Sequence, residues 1–302
     1  MVHLVLILVQ VIMASLAIVG RIVLREIPPG VLVLMRIWGA ASVLAIARHL
    51  FDPGVRLNRR DLAQFAFLGL LGVAGNQSLL LFGLSHSTAI NATILIATIP
   101  AFTVLLSIVT RREPPSGLKV SGIGLAAAGT IYLIGPDQVS LAPAFAFGNA
   151  LLVLGVICYA LYLTYSREVL QRYRAVTATA TVMLFGALGV TPVGLYGLTR
   201  MWWGEVHSGT WLLAGYVVLF PTIVAYFLNL WALRRVSSNL VAAYIYVQPV
   251  LTVVTAPLVL EDEHLTTRAA LAGLAIFAGL ALVILGEQRQ RRAVRVESLP
   301  GE

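Results

Sequence analysis

The chain has 302 residues, of which 59% are hydrophobic and only 11% charged, and carries a net charge of +8 with a mean hydropathy of +0.90. Soluble domains carry about 25% charged residues, so this composition excludes a soluble enzyme or binding module and indicates an all-α integral membrane protein. With Cys158 the sole cysteine, an intrachain disulfide and a thiolate metal cluster are excluded as well.

A membrane-spanning helix needs about 20 mostly apolar residues, and ten such runs fill the chain. In order they are Leu4 to Gly20, Gly30 to Ala47, Leu62 to Leu84, Thr88 to Thr110 and Leu118 to Ile134. Then come Ala144 to Tyr165, Ala175 to Leu198, Thr210 to Leu233, Leu240 to Leu260 and Ala269 to Gly286. The first run lacks the basic flank and small-residue cleavage site of a signal peptide, and is read as span 1. The breaks after spans 2, 4, 6 and 8, with the tail, hold sixteen Lys and Arg, including Arg59, Arg112, Arg172, Arg234 and Arg291. The opposite loops hold four, Arg21, Arg25, Arg200 and Arg268. The positive-inside rule then places both termini in the cytoplasm of a multi-pass inner (plasma) membrane protein. Alternation of charge from loop to loop is the mark of topology and of contact with the lipid bilayer, not of nucleic-acid binding.

The chain repeats itself. "GLSHSTAINATILIATIPAFTVLL" (83 to 106) aligns with "ALRRVSSNLVAAYIYVQPVLTVVT" (232 to 255), pairing Pro100 with Pro249 and Thr103 with Thr252. After one inserted residue Glu113 pairs with Glu263 and Gly129 with Gly279. Two five-span halves result, 1–140 and 141–290, followed by a tail, 291–302. Five is odd, so the second half enters from the opposite side; such inverted repeats are the architecture of alternating access.

The polar residues inside the spans carry the functional reading. An unpartnered amide in hydrocarbon costs several kcal/mol, so Asn76 and Gln77 on span 3 must face protein or water. Thr222, Tyr226 and Asn229 lie at i, i+4 and i+7 on span 8, one helical face. Tyr244, Gln248 and Thr252 form a similar face on span 9, and Asn91, Thr98 and Phe102 another on span 4. Four such faces predict a central polar cavity whose substrate-binding candidates are Asn76, Gln77, Asn91, Thr98, Tyr226, Asn229, Tyr244 and Gln248. Each amide or hydroxyl has a second reading as a hydrogen bond between helices. Pro100 and Pro249, at equivalent points, free backbone carbonyls or kink their spans. Arg36, two turns into span 2, stands where a charge is costly. Its guanidinium could receive a substrate carboxylate, or it could snorkel outward and shape a gate; it is grouped with the two prolines as gating or structural.

The halves resemble EamA-type domains of the drug/metabolite transporter superfamily. The resemblance rests on Arg36 in "PPGVLVLMRIWGAA", Pro100, Pro249, Glu113, Glu263, Gly122, Gly129 and Gly279, and covers nearly the whole chain. Arg36 has no counterpart in the second half, and Ala272 stands where the pattern has glycine. "GVAGNQSLLLFGL", "IPAFT" and "YVQPVLT" are similar to the plant amino-acid and auxin exporters and their bacterial relatives. The resemblance implies export or exchange of amino acids or related small metabolites, without a cofactor. No acidic residue lies in mid-span to carry a coupled proton, which points to a facilitator or exchanger.

Other classes are weaker. "EDEH" (261–264) and "SHS" (85–87) fit neither a metal-hydrolase nor a nucleophile-elbow motif, so no catalytic or metal-binding residue is assigned. A non-transporting sensor remains the alternative. Small residues such as Gly122, Ala126, Gly273 and Gly279 give spans 5 and 10 close-packing faces that suit either a monomer or a homodimer.

Overall fold

The computed structural model describes residues 1–87, 95–113, 115–134, 143–248, 250–251 and 267–297, and among them every regular element is helical. Helix α1 runs Val2–Val23 and α2 Pro29–Phe51. Span 3 is composite: α3 (Arg59–Gly69), a π-helical stretch (Leu70–Gly75) and α4 (Asn76–Ser85). Helix α5 covers Ile99–Val109 and α6 Gly117–Ile134. In the second half come α7 (Ala146–Leu170) and α8 (Ala175–Leu198). Then α9 (Ser208–Val217) continues through π-helical Val218–Val224 into α10 (Ala225–Leu233). Helix α11 (Ser238–Ala243) tightens to a 3-10 turn at Tyr244–Tyr246, and α12 extends from Thr267 to Glu297, beyond the apolar run. Among the described residues, six helices are long and apolar enough to cross a membrane.

Local chemistry accounts for the helix ends. Pro29 opens α2, where its missing N–H costs nothing, and Arg48 and His49 lie in its last turn against the negative end of the helix dipole. Asn58 caps α3 by accepting from the Arg60 amide at 2.7 Å, and Ser237 caps α11 by accepting from the Leu240 amide at 3.2 Å.

The most extensive helix contacts are α6 with α12 and α2 with α8. Glycines set the first: a Cβ on Gly122 would stand 2.5 Å from the Gly279 carbonyl oxygen, and one on Gly279 2.5 Å from that of Gly122. The reciprocity means the two backbones touch, as small residues permit between membrane helices. The small-residue stripes of spans 5 and 10 therefore dock on each other within the chain. On the outside, large apolar side chains such as Leu154, Leu188, Leu212 and Leu274 are exposed, the surface expected of a helix bundle solvated by lipid.

Ion pairs gather at one end of the bundle. Asp61 at the start of α3 accepts from Arg172 at 2.5 Å and from the Tyr173 hydroxyl at 2.6 Å in the α7–α8 connection. Arg174 pairs with Asp52 at 3.7 Å, and Arg112 with Glu168 at 2.8 Å. The basic loops of the sequence thus meet one another in space. At the other end Glu26 accepts from the His207 backbone amide at 2.9 Å.

Candidate functional site

A cavity of about 240 Å³ lies at the centre of the bundle, walled by α1, α2, α4, α7 and α10 and by the described parts of spans 4 and 9. Small-molecule pockets span about 300–1,000 Å³, so this one suits a small solute. Of the predicted residues, Asn76, Gln77, Tyr226, Asn229 and Gln248 line it, and so does Arg36.

The two halves meet here. Gln77 Nε2 donates to Asn76 Oδ1 at 3.1 Å and to the Tyr226 hydroxyl at 3.3 Å. Asn76 Nδ2 donates in turn to the Gly155 carbonyl on α7 at 2.9 Å, so Asn76 serves mainly to tie α4 to α7. Asn229 Nδ2 donates to the Tyr159 hydroxyl at 3.1 Å, and Tyr159 stacks on Tyr162 at 5.6 Å between ring centroids. Gln248 Nε2 donates to Gln10 Oε1 at 2.7 Å, joining span 9 to α1.

The π-helical stretches shape the walls. The one in span 3 ends at Gly75, immediately before Asn76; the one in span 8 ends at Val224, immediately before α10. These end points differ by 149 residues, the separation of Gln77 and Tyr226. In span 8 the cause is visible. Pro221 has no N–H to give the carbonyl of Val217, the ladder passes to the i→i−5 spacing of a π-helix, and the Thr222 hydroxyl also donates to that carbonyl at 2.9 Å. With its one hydrogen spent there, Thr222 Oγ1 is left as an acceptor, and Arg36 Nε donates to it at 3.0 Å. Arg36 is only 8% exposed and sits about 10 Å into α2, by the 1.5 Å helical rise. It does not snorkel.

The remaining candidates are placed elsewhere. Tyr244 is buried and its hydroxyl lies 2.6 Å from His3 Nδ1, off the cavity wall. Thr98 turns its hydroxyl back to the Leu95 carbonyl at 2.5 Å, and its neighbours Ile96 and Ile99 line the cavity instead. Pro100 stands in the first turn of α5, after a break at residues 97–98, so span 4 is discontinuous at this point. Asn91, Pro249, Thr252, Glu263 and the run 261–264 lie outside the described residues. Of the 85–87 stretch, His86 Nδ1 lies 2.9 Å from the Phe82 carbonyl and Ser87 donates to Asn149.

Sequence reasoning passed over Gln10, 3% exposed on the cavity wall; a lone amide in an otherwise apolar first span was the available signal. It also passed over a buried polar network at the ion-paired end. Lys119 Nζ lies 3.4 Å from Glu113 and 2.7 Å from Glu287. Glu113 accepts from the Ser238 amide and hydroxyl and from Asn239; Glu287 accepts from the Ser237 amide and hydroxyl. The two carboxylates and one ammonium hold the start of α11 against α6 and α12.

Comparison with known proteins agrees with this architecture. A crystal structure superposes with a TM-score of 0.80 at 19% identity, covering 96% of this chain and 98% of that one, which shows a shared fold. A probable terminal-alkyne amino-acid exporter of Streptantibioticus cattleyicolor is 29% identical over 273 residues, 89% of this chain and 87% of that protein. Protein WALLS ARE THIN 1 of Arabidopsis thaliana is 26% identical over 282 residues, 81% of this chain and 71% of that protein. The EamA-like transporter family matches twice, at residues 1–135 and at 146–285. Those two matches account for most of the chain, which therefore belongs to the EamA-like transporter family of multi-pass membrane proteins.

Proposed function

We propose that the protein exports or exchanges amino acids or related small metabolites across the inner (plasma) membrane by alternating access through the central cavity. Ten spans form two inverted five-helix repeats, 1–140 and 141–290, with both termini and the tail 291–302 cytoplasmic. The observation that carries the reading is the hydrogen bond between Gln77 and Tyr226. Equivalent residues of the two halves meet in the wall of one cavity, so a solute held there is held by both repeats and is exposed to one side or the other as they rock. The double family match, the paired π-helical stretches and the clustering of ion pairs at one end support the same architecture. The amino-acid assignment draws support from the exporter relative.

The test is counterflow. Purified protein in liposomes, loaded with single unlabelled amino acids or aromatic acids, is followed for uptake of the labelled solute. Saturable exchange that Gln77→Ala or Gln248→Ala abolishes in folded protein supports the reading. Binding of these solutes without exchange would indicate a sensor instead.

A further inference from the structure

Among the described residues, every one in the wall of the central cavity is uncharged except Arg36, with no Asp, Glu, His or Lys. Arg36 is buried and ion-paired to no described carboxylate. Of its five N–H donors only the Nε one has a partner among the described residues, Thr222. No described carbonyl or carboxylate accepts from its two Nη atoms, which are the planar fork suited to a carboxylate. A guanidinium in low dielectric without a counter-ion is costly, and one kept there is ordinarily paired or functional. A purely structural arginine would be expected to spend its donors on helix-terminal carbonyls. This one is instead fixed by Nε against the π-helical segment of span 8, its orientation set by the chain from Val217 to Thr222.

We propose that Arg36 is the binding residue for an anionic group of the substrate, and that the solute is recognised as a carboxylate whose ammonium group, where present, is not required. This rests on the transport reading above and narrows it. The wall offers a carboxylate one full cation and offers an ammonium group no anion, only neutral amides and the Tyr159 and Tyr226 phenols. The body of the solute lies against apolar side chains such as Met13, Leu80 and Ile245. The preferred class is therefore a monocarboxylate with a small apolar or aromatic body, the zwitterionic amino acid being carried through its carboxylate.

The test compares each acid with its carboxamide in the liposome counterflow assay: phenylacetate with neutral phenylacetamide as the deciding pair, and phenylalanine and leucine with phenylalaninamide and leucinamide, which keep the ammonium group. Wild type is expected to carry the acids, with the amides on the order of 100-fold poorer in apparent affinity, as befits loss of one partner of a buried charge pair. Arg36→Gln is expected to erase the preference and Arg36→Lys to restore part of it, the charge being kept without the fork. Thermal melting in detergent establishes that each variant is folded; should Arg36→Gln fail to fold, the wild-type comparison and Arg36→Lys still decide. Equal transport of acids and amides by wild type, or an unchanged acid preference in folded Arg36→Gln, overturns the assignment and leaves the transport reading standing. Absence of exchange for every pair overturns both.

Discussion

Gln77 and Tyr226 are 149 positions apart in the chain and 3.3 Å apart in the cavity wall. That separation is also the offset of Pro100 and Pro249 in the internal repeat, so the bond joins positions that correspond in the same register. The bond is long, and the Gln77 amide nitrogen gives its other N–H to Asn76, so the contact is adjustable rather than rigid. Gln77→Leu and Tyr226→Phe are each expected to cost about 1 kcal/mol of stability, with a coupling under about 1 kcal/mol in a double-mutant cycle. Exchange should fall far more than stability in both. The pair of readouts to compare is melting temperature in detergent against initial counterflow rate.

Gly279 predicts a steeper loss. A Cβ there would lie 2.5 Å from the Gly122 carbonyl oxygen and 2.7 Å from the Ala126 amide nitrogen, both backbone atoms that cannot swing aside. Gly279→Val should separate α6 from α12 and cost about 3 kcal/mol or more. Gly124, with nothing within 4 Å of an added Cβ, provides the control: Gly124→Ala should be neutral or stabilising by up to about 1 kcal/mol. Equal melting temperatures for the two variants would contradict the packing described for these helices.

These two positions show what the sequence made legible. Hydropathy located the six long apolar helices because hydrocarbon tolerates few alternatives, and the small-residue stripes marked the α6–α12 contact without deciding whether it lay within or between chains. Of the face through Thr222, Tyr226 and Asn229, the two residues on α10 line the cavity, while Thr222, in the π-helical stretch, is buried beside Arg36. The face drawn through Tyr244 and Gln248 was only half right. It assumed 100° per residue, and the 3-10 turn at Tyr244–Tyr246 advances by about 120°, so Gln248 reaches the cavity while Tyr244 meets His3. Thr98 failed for a related reason, standing at a break instead of inside a regular helix. The Lys119 network was illegible because its members are far apart in the chain and sit at helix ends, where a sequence suggests solvated charge.

Lys119 is 2% exposed between the two carboxylates. Lys119→Met removes the buried ammonium that Glu113 and Glu287 share, leaving Glu113 the more distant Arg167 at 4.0 Å, and the expected loss is about 3 kcal/mol. Adding Glu287→Gln should recover part of it, because the amide oxygen can still accept from Ser237 while one buried negative charge is gone. Melting curves of the single and double variants test this; a double variant no more stable than the single would mean that the pairing is not what Lys119 supplies.

Glu26 gives a pH signature at the opposite end of the bundle. The hydrogen bond from the His207 backbone amide, reinforced by Thr210, holds its carboxyl below the usual carboxylate value. A folded value below the unfolded one contributes stability that is present above the unfolded pKa and is lost as pH falls through the folded one. The site is exposed, so the effect is small. Between pH 6 and pH 3 the wild-type melting temperature should fall slightly more than that of Glu26→Gln. Parallel curves would indicate that this contact does not outlast solvent competition.

Thr222 links a defect in the helix to the charge in the cavity. Its hydroxyl hydrogen serves the Val217 carbonyl, to which Pro221 can give no N–H, and its oxygen receives Arg36 Nε. Thr222→Val keeps the shape and removes both bonds. Loss of the hydroxyl bond to a carbonyl that keeps its π-helical N–H should cost about 1 kcal/mol of stability or less, and the untethered guanidinium should weaken carboxylate substrates by about 10-fold in KM while the turnover of bound solute changes less. Thr222→Ser retains the hydroxyl and should retain both properties, provided the serine keeps the rotamer that the threonine methyl enforces. Kinetics of acid and amide substrates in the three proteins separate the two roles. A loss of stability with an unchanged KM would mean that Thr222 serves the helix alone, and that Arg36 is held by something other than this hydrogen bond.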